Sequence, residues 1–366
     1  MNKPDQNSKP AFSGERVRLG DVCAKGKSSL RQKDLRNDGP YVVFGASGIA
    51  GTSASYQNES PYVAVVKDGA GVGRARICQE QSSVLGTMQA LIPNERITCK
   101  YLLHLVRSMK LGEGFSGSTI PHIYFKDYSE REVVVPALDD QEKITSTLDK
   151  IENLIDGEKT TITHLQSLAK SRFVEMFGSK DFDHKPLIEC VISIDSGKSP
   201  NCTSSPRANR DPAVLKLSAV SSGIYREGEN KGLLPGETIV GSKEVVRGDI
   251  LLARKNTPEL VGRSVYVSRT EGNIMFPDIV FRMHPRPVVN GIYLAHVLSG
   301  PMFGEVKSLA HGSAKSMSNI PKSKLANLQI PLPPLPLQRE FAAFAERAAK
   351  LEFVAQQQIE KLQTLY

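Results

Sequence analysis

Tyr101-Leu102-Leu103-His104-Leu105-Val106 returns later in the chain as Tyr293-Leu294-Ala295-His296-Val297-Leu298, and this return decides how everything around it is read. Working outward from it, Gly117-Ser118 reappears as Gly312-Ser313, and Gln141-Glu142-Lys143-Ile144 reappears as Gln338-Arg339-Glu340-Phe341. Leu154/Leu351, Ile162/Ile359, Leu165/Leu362 and Leu168/Leu365 keep step behind them. A tandem duplication is the simplest account. It divides the chain into a first module over residues 1–138, a long helix over 139–179, a second module over 180–335 and a second long helix over 336–366. The helices match each other better than the modules do. Two similar modules on one chain suggest two similar sites touched together, which is bipartite recognition.

Charge gives that idea a sign. The chain has 47 Lys and Arg against 39 Asp and Glu. Residues 1–140 hold 18 basic and 15 acidic groups and residues 181–330 hold 19 and 14, whereas the helical stretches 141–180 and 331–366 balance at 6 against 6 and 4 against 4. The whole surplus of +8 therefore lies in the modules. This points to an anionic partner for the modules and none for the helices.

The five cysteines, Cys23, Cys78, Cys99, Cys190 and Cys202, are an odd number with no Cys-x-x-Cys spacing. That argues against a disulfide scaffold or a zinc site and for a reducing compartment. The start, Met1-Asn2-Lys3-Pro4-Asp5-Gln6-Asn7, reads as a polar tail and not a signal peptide. No apolar run approaches the ~20 residues of a membrane span. The expected location is the cytoplasm.

The modules read as strands and tight turns with some helix. Tyr62-Val63-Ala64-Val65-Val66 is a β-prone run that ends in Lys67-Asp68-Gly69-Ala70-Gly71-Val72-Gly73, and Arg74-Ala75-Arg76-Ile77 resumes. In the second copy Ile250-Leu251-Leu252-Ala253 ends in Arg254-Lys255-Asn256-Thr257, and Gly262-Arg263-Ser264-Val265 resumes. Each copy thus places a basic residue where one strand ends and a Gly-Arg pair where the next begins. The candidates for nucleic-acid contact are Lys67, Arg74, Arg76, Ser118 and His122 in the first module. In the second they are Arg254, Lys255, Asn256, Arg263 and Lys315. The same residue types also serve as solvated loop charges, so the choice between base contact and phosphate contact stays open.

The first long helix has Asp139 and Glu142 placed as a capping box, followed by Ile144, Leu148, Ile151, Ile155, Ile162 and Leu165 in steps of four and three, with Glu158 interrupting the seam. The second follows Pro331-Leu332-Pro333-Pro334-Leu335-Pro336, with Pro336 suited to a first turn. Its expected seam is Phe341, Phe344, Ala348, Leu351, Ala355, Leu362 and Leu365, with Gln358 as the one polar member. A module lies between the two helices in sequence, so they would pair antiparallel. The expected fold is α+β: two mixed, strand-rich α/β modules separated by two long helices forming an antiparallel coiled coil.

Catalytic motifs mostly fail. Gly26-Lys27-Ser28 resembles the end of a phosphate-binding loop, but Asp21 stands where that motif needs glycine, and Gly197-Lys198-Ser199 has Ile192 there. Gly69 to Gly73 opens no clear helix and reads as a hairpin turn. No His-x-x-x-His pair occurs, and His104 and His296 sit on an apolar helical stretch where packing is the expected role. No catalytic residue, metal ligand or cofactor-binding residue is nominated in this chain.

Several strings resemble a known family in their order. They include Arg18-Leu19-Gly20-Asp21-Val22, Val43-Phe44-Gly45-Ala46-Ser47-Gly48-Ile49-Ala50-Gly51, Asp68-Gly69-Ala70-Gly71-Val72-Gly73, and Val135-Pro136 before Asp140-Gln141-Glu142. Leu168-Ala169-Lys170-Ser171-Arg172-Phe173-Val174-Glu175-Met176-Phe177-Gly178, Asp195-Ser196-Gly197-Lys198-Ser199-Pro200, Leu217-Ser218-Ala219-Val220 and Gly248-Asp249-Ile250-Leu251-Leu252-Ala253-Arg254 continue the series. Over residues 14–366 the layout resembles the specificity subunit of type I restriction-modification systems, the HsdS family. The resemblance implies a non-catalytic reader of double-stranded DNA whose two target-recognition domains each bind one half of a split sequence. It implies helices that act as spacer and as docking surface for two methyltransferase subunits, with motor-nuclease subunits joining them. S-adenosylmethionine, ATP and Mg would belong to those partners. The modules differ strongly in sequence, which implies unlike half-sites, and the second helix ends at Tyr366, aligned with Ala169. From the residues alone, two other classes stay open: a nucleic-acid enzyme with its site in the glycine loops, and a coiled-coil scaffold that binds no DNA.

Overall fold

Tyr62–Val66 is buried at every position, which requires cover on both faces, and alternation of its side chains sorts them into two cores. In the computed structural model, which describes residues 13–36, 38–69, 71–114, 121–178, 180–312 and 317–366, that strand lies inside a four-stranded sheet. The first module runs β1 (Gly14–Arg18), β2 (Cys23–Lys25), β3 (Tyr41–Gly45), β4 (Gly48–Ser53), β5 (Tyr62–Val66), β6 (Ala75–Cys78), β7 (Ser83–Val84) and β8 (Met88–Pro93). Helices α1 (Cys99–Ser108) and α2 (Phe125–Tyr128) follow, then β9 (Glu132–Pro136) and the long helix α3 (Leu138–Phe177). The main sheet is ordered β2-β8-β5-β6, and a smaller sheet is ordered β4-β3-β7. Val63 and Val65 face a core that includes Leu91, Leu102 and Val106, while Tyr62, Ala64 and Val66 face Phe44, Val84 and Met88. Burying each large side chain of this kind contributes about 1.5–3 kcal/mol.

The second module repeats the plan in different residues. It comprises β10 (His184–Pro186), α4 (Leu187–Cys190), β11 (Val191–Ser196), β12 (Ala213–Leu215), α5 (Ser218–Ser221), β13 (Asn230–Gly232), β14 (Ile250–Ala253), β15 (Lys255–Asn256), β16 (Ser264–Tyr266), β17 (Ile274–Met275) and β18 (Val280–Pro285). Then come α6 (Gly291–Ser299), α7 (Phe303–Ser308), β19 (Ser318–Asn319), α8 (Lys322–Ala326), β20 (Gln329–Pro331) and the second long helix α9 (Leu335–Leu365). Its sheets are ordered β11-β18-β14-β16 and β13-β12-β17, position for position the first module's orders. In both small sheets the middle strand pairs antiparallel with one neighbour and parallel with the other. Ile250 and Leu252 face one core and Leu251 and Ala253 the other, as alternation along β14 demands.

The chain divides into two compact units, residues 1–157 with 360–366, and residues 158–359. Each unit thus holds one module with segments of both long helices. Within the second unit Arg172 pairs with Glu340 at 2.9 Å and Gln166 donates to Glu352 at 3.3 Å, so the segments run antiparallel. Within the first, the Tyr366 hydroxyl donates to Glu152 at 2.8 Å, which places the end of the second long helix beside the first.

Burial corrects two details of the expected helices. The first helix begins at Leu138, so Asp139 lies in its first turn instead of capping it, where its charge still suits the positive end of the helix. In the second helix Leu351 and Leu365 are exposed and so is Gln358; the heptad seam is Phe341, Ala345, Ala348, Glu352, Ala355, Ile359 and Leu362. Reading by size put the bulkier leucines in the seam. Three of its seven positions are alanines, Ala345, Ala348 and Ala355, which allow close helix approach, and the half-buried Glu352 is the polar member. Burial raises the Glu352 carboxyl above its ordinary range, while the bond from Gln166 acts the other way.

The return of Gln141 as Gln338 has a structural reason. Thr98 caps α1 by accepting from the Tyr101 amide, and Asn290 caps α6 by accepting from Ile292 and Tyr293. The backbone N–H of each capping residue donates to the glutamine's Oε1, both at 2.8 Å. The glutamines' Nε2 groups donate back to Pro136 at 2.9 Å and Pro333 at 2.7 Å, and Gln141 also to Arg96 at 2.8 Å. Each glutamine is almost wholly buried and ties the start of its long helix to the start of its module's helix. The repeated Tyr101 and Tyr293 add to the tie, their hydroxyls donating to the Val134 and Pro331 carbonyls, each at 3.0 Å.

Candidate nucleic-acid interface

The two basic loops are superimposable in their backbone bonding. After β5, the Lys67 amide donates to Thr87 and the Lys67 carbonyl accepts from Ile123; after β14, the Arg254 amide donates to Ile279 and its carbonyl accepts from Ile320. Val66 and Ala253 each exchange two bonds with the opposite Gly-Arg pair, Gly73-Arg74 and Gly262-Arg263. Gly73 and Gly262 have φ of +84° and +85°, a conformation that side chains disfavour. A Cβ on Gly73 would lie 2.3 Å from the Gly112 nitrogen, and one on Gly262 would lie 2.7 Å from the Val306 side chain. Glycine at these two places fixes where the following arginine leaves the sheet. Lys67 therefore corresponds to Arg254 and Arg74 to Arg263, a correspondence suggested by the sequence and built by the hydrogen bonds.

Side chains divide the candidates. Arg74 is exposed, with its Nε on its own loop at the Gly71 carbonyl, 3.3 Å away. Lys67 is half-buried; burial, and then the nearby Lys25 ammonium, lower its pKa. Arg76 lies over the Phe44 ring at 5.0 Å, and Arg263 over the Phe303 ring at 4.2 Å. His122 is paired with Asp68 and packs edge-on against Tyr124. Arg254 lies over Phe281 at 4.8 Å and donates to Asn319 and Ser196, both at 3.3 Å. Lys255 stands 3.8 Å from Asp278.

Among the described candidates, Asn256 is the one spent inside the protein. It is 6% exposed, its Nδ2 donates to Ser221 at 2.8 Å, and its Oδ1 accepts from the Thr257 amide. A base edge would have to displace both bonds. Ser118 and Lys315 lie outside the described residues. Lys25 was missed in the sequence because it belongs to β2 and is brought near Lys67 only by the sheet order β2-β8-β5.

Other motifs resolve as expected of turns. The Gly26 amide donates to Ala90 and the Lys27 amide to Asn58, so neither is offered to a phosphate. His296 is half-buried, its Nδ1 against the Ile292 carbonyl, and desolvation lowers its pKa. His104 differs. Its Nδ1 meets the Tyr366 hydroxyl at 2.8 Å and its Nε2 meets Asp149 at 2.9 Å. With Glu152 these atoms form the one cluster among the described residues whose donors lie close enough to hold a metal ion. Lys100 and Arg107 already pair with the two carboxylates, and the Lys100 bond holds Asp149 below the ordinary carboxylate range. Charge in this cluster is balanced and both imidazole nitrogens are engaged, so it serves as a latch holding the end of the last helix within the first unit. Cys23 is pushed up to about 12 by burial, and Cys78, Cys99 and Cys190 to about 11. Such thiols are poor nucleophiles at neutral pH.

Comparison with known proteins follows the same lines. Residues 14–167 match the family described as the type I restriction modification DNA specificity domain. The specificity subunit of the type I restriction enzyme EcoEI from Escherichia coli is 34% identical over 153 residues, 41% of this chain and 26% of that protein, so the chain spans about a quarter of its length. The MjaVIII specificity subunit from Methanocaldococcus jannaschii is 25% identical over 92% of this chain and 86% of its own length. Among solved structures, a type I restriction-modification S subunit from M. genitalium shares the fold over all of this chain and 96% of its own, with a TM-score of 0.59 at 13% identity. A chain from a type I restriction-modification assembly shares it over 97% of this chain and 96% of its own, with a TM-score of 0.50 at 16% identity.

Proposed function

We propose that this chain, which carries a DNA specificity domain of the type I restriction-modification family, is the non-catalytic DNA reader of a type I complex. Each module reads one half of an asymmetric bipartite target. The observation that carries this reading is the duplicated loop scaffold, in which matching backbone bonds and two obligatory glycines present Arg74 and Arg263 from equivalent places on modules of unlike sequence. Equivalent placement suits one way of docking on DNA, and unlike side chains around it suit two different half-sites. Lys67, Arg74, Arg76 and Arg263 are the proposed first contacts. His122, Arg254 and Lys255 have internal partners that DNA would have to share.

The long helices are the proposed spacer and the proposed docking surface for two methyltransferase subunits. Leu154 and its repeat Leu351 are each 57% exposed, and Leu168 and its repeat Leu365 are 52% and 70% exposed. Apolar side chains left in water at equal places of both copies suit two copies of one partner. Methyl transfer from S-adenosylmethionine, and ATP- and Mg-dependent cleavage by motor-nuclease subunits, would then lie outside this chain, in a cytoplasmic assembly. Methylome sequencing of a host with and without the gene tests the reading. The expected result is a bipartite motif that disappears with the gene; an unchanged methylome in a host carrying the partner subunits overturns it.

A further inference from the structure

The two modules follow one another strand for strand, yet they part sharply at the connection between the first two strands of the small sheet. In the first module β3 returns as β4 through Ala46 and Ser47 alone, with Gly45 opposite Gly48 and Phe44 opposite Ile49. Gly48, at φ +137°, supports this two-residue turn. In the second module the corresponding strands β12 and β13 are joined by residues 216–229, which include α5. The parallel partners of β3 and β12 establish that these are the same connection: Val43 pairs with Ser83 and Phe44 with Val84, as Ala213 pairs with Ile274 and Val214 with Met275.

Chemistry is concentrated at both versions. Ile49 is 69% exposed at the hairpin tip. Beside it, the Arg76 guanidinium lies over Phe44, and its Nη1 is 3.7 Å from the place of a Cβ on Gly48. The Arg76 Nε is buried and has no hydrogen-bond partner among the described residues. Ile224 is the exposed apolar residue of the long version, whose α5 is held by the bond from Asn256 to Ser221. A narrow β-ribbon fits the major groove, where a branched apolar side chain packs on a thymine methyl and an arginine donates to guanine.

Building on the DNA-reading role, we propose that this connection sets half-site preference: Ile49 with Arg76 reads bases in the first half-site, and residues 216–229, with Ile224 exposed, do so in the second. The position is shared, so both connections approach DNA alike; the length and composition differ, so they select different bases. Asn256 then serves specificity indirectly, as a positioning residue for α5.

The test uses the full chain assembled with its methyltransferase subunits and a DNA library randomised in each half-site separately. Ile49→Ala is expected to reduce discrimination at one half-site by roughly 5- to 150-fold, the range that one mismatched pair costs, and Ile224→Ala to do so at the other half-site only. Both side chains are exposed, so the thermal transition should stay where it is. If both variants keep both preferences, or if either weakens all sequences alike, the proposal is overturned. If the unsubstituted complex selects no bipartite sequence from the library, the DNA-reading role itself fails and takes this proposal with it. Arg76→Lys separates fork from charge: lost discrimination with retained overall affinity supports base reading, and full retention of both refutes it for Arg76.

Discussion

Replacing Gln141 by methionine keeps the length and volume of the side chain and removes its three hydrogen bonds, to Thr98, Arg96 and Pro136. The bond to Pro136 is buried, so that carbonyl has no access to replacement water, while the groups of Thr98 and Arg96 are partly accessible and recover some hydration. At about 1 kcal/mol for each bond lost, and somewhat more where the partner stays dry, the cost is roughly 2–4 kcal/mol. That is a large fraction of the ~5–15 kcal/mol stability of a typical domain. The loss should appear in native-state hydrogen exchange as faster exchange in the first turns of α1 and α3, with a lower urea midpoint for the first unit. Gln338→Met removes two side-chain hydrogen bonds and should cost the second unit about 2–3 kcal/mol. The two ties lie in different units, so their effects should add in the double variant. A change below about 0.5 kcal/mol for Gln141→Met, or faster exchange spread evenly over both units, would refute the account of the repeated glutamine as a helix-to-module tie.

Three further outcomes are expected. Arg74→Ala and Arg263→Ala should each cost about 1–3 kcal/mol in binding by the assembled complex, relaxing one half-site if the arginine reads a base and weakening all sequences equally if it holds a phosphate; unchanged affinity and preference in the double variant would remove the loops from the interface. Inserting one heptad after Gln166 and one before Glu352, residues joined in the antiparallel pair, lengthens both helices by ~10.5 Å, so the methylated motif should gain about three base pairs of spacer, and an active complex with an unchanged motif would assign the helices to assembly alone. Glu352→Gln should raise the unfolding midpoint near pH 7 and make no difference in acid: burial raises the folded carboxyl's pKa, so its destabilising ionisation is absent below the unfolded value and grows as pH rises toward the folded one, and a midpoint difference that is the same at pH 4 and pH 7 would exclude this cause.

Much of the molecule is written along the chain because its signals are local or periodic. The paired segments at Tyr101 and Tyr293, the four-and-three steps of the first helix, the β-prone run at Tyr62 and the Gly-Arg pairs each depend on neighbours within a few residues, and they gave two modules, two long helices and equivalent basic loops. Charge counts along the chain place the basic surplus in the two modules. What tertiary structure decided depends on pairings across long separations. The seam of the last helix passes through Ala345, Glu352 and Ile359 instead of Phe344, Leu351 and Gln358, because a packed pair selects the face that permits close approach and size along one helix does not reveal that face. Asn256 reads as a loop residue in one dimension and is a buried tie to Ser221 in three. Lys25 meets Lys67, and Tyr366 meets His104, only where strand order and the antiparallel helices bring distant residues together. Local residue types set which elements form; side-chain burial and hydrogen-bond satisfaction, which are settled only when those elements pack, set which residues remain available to a partner.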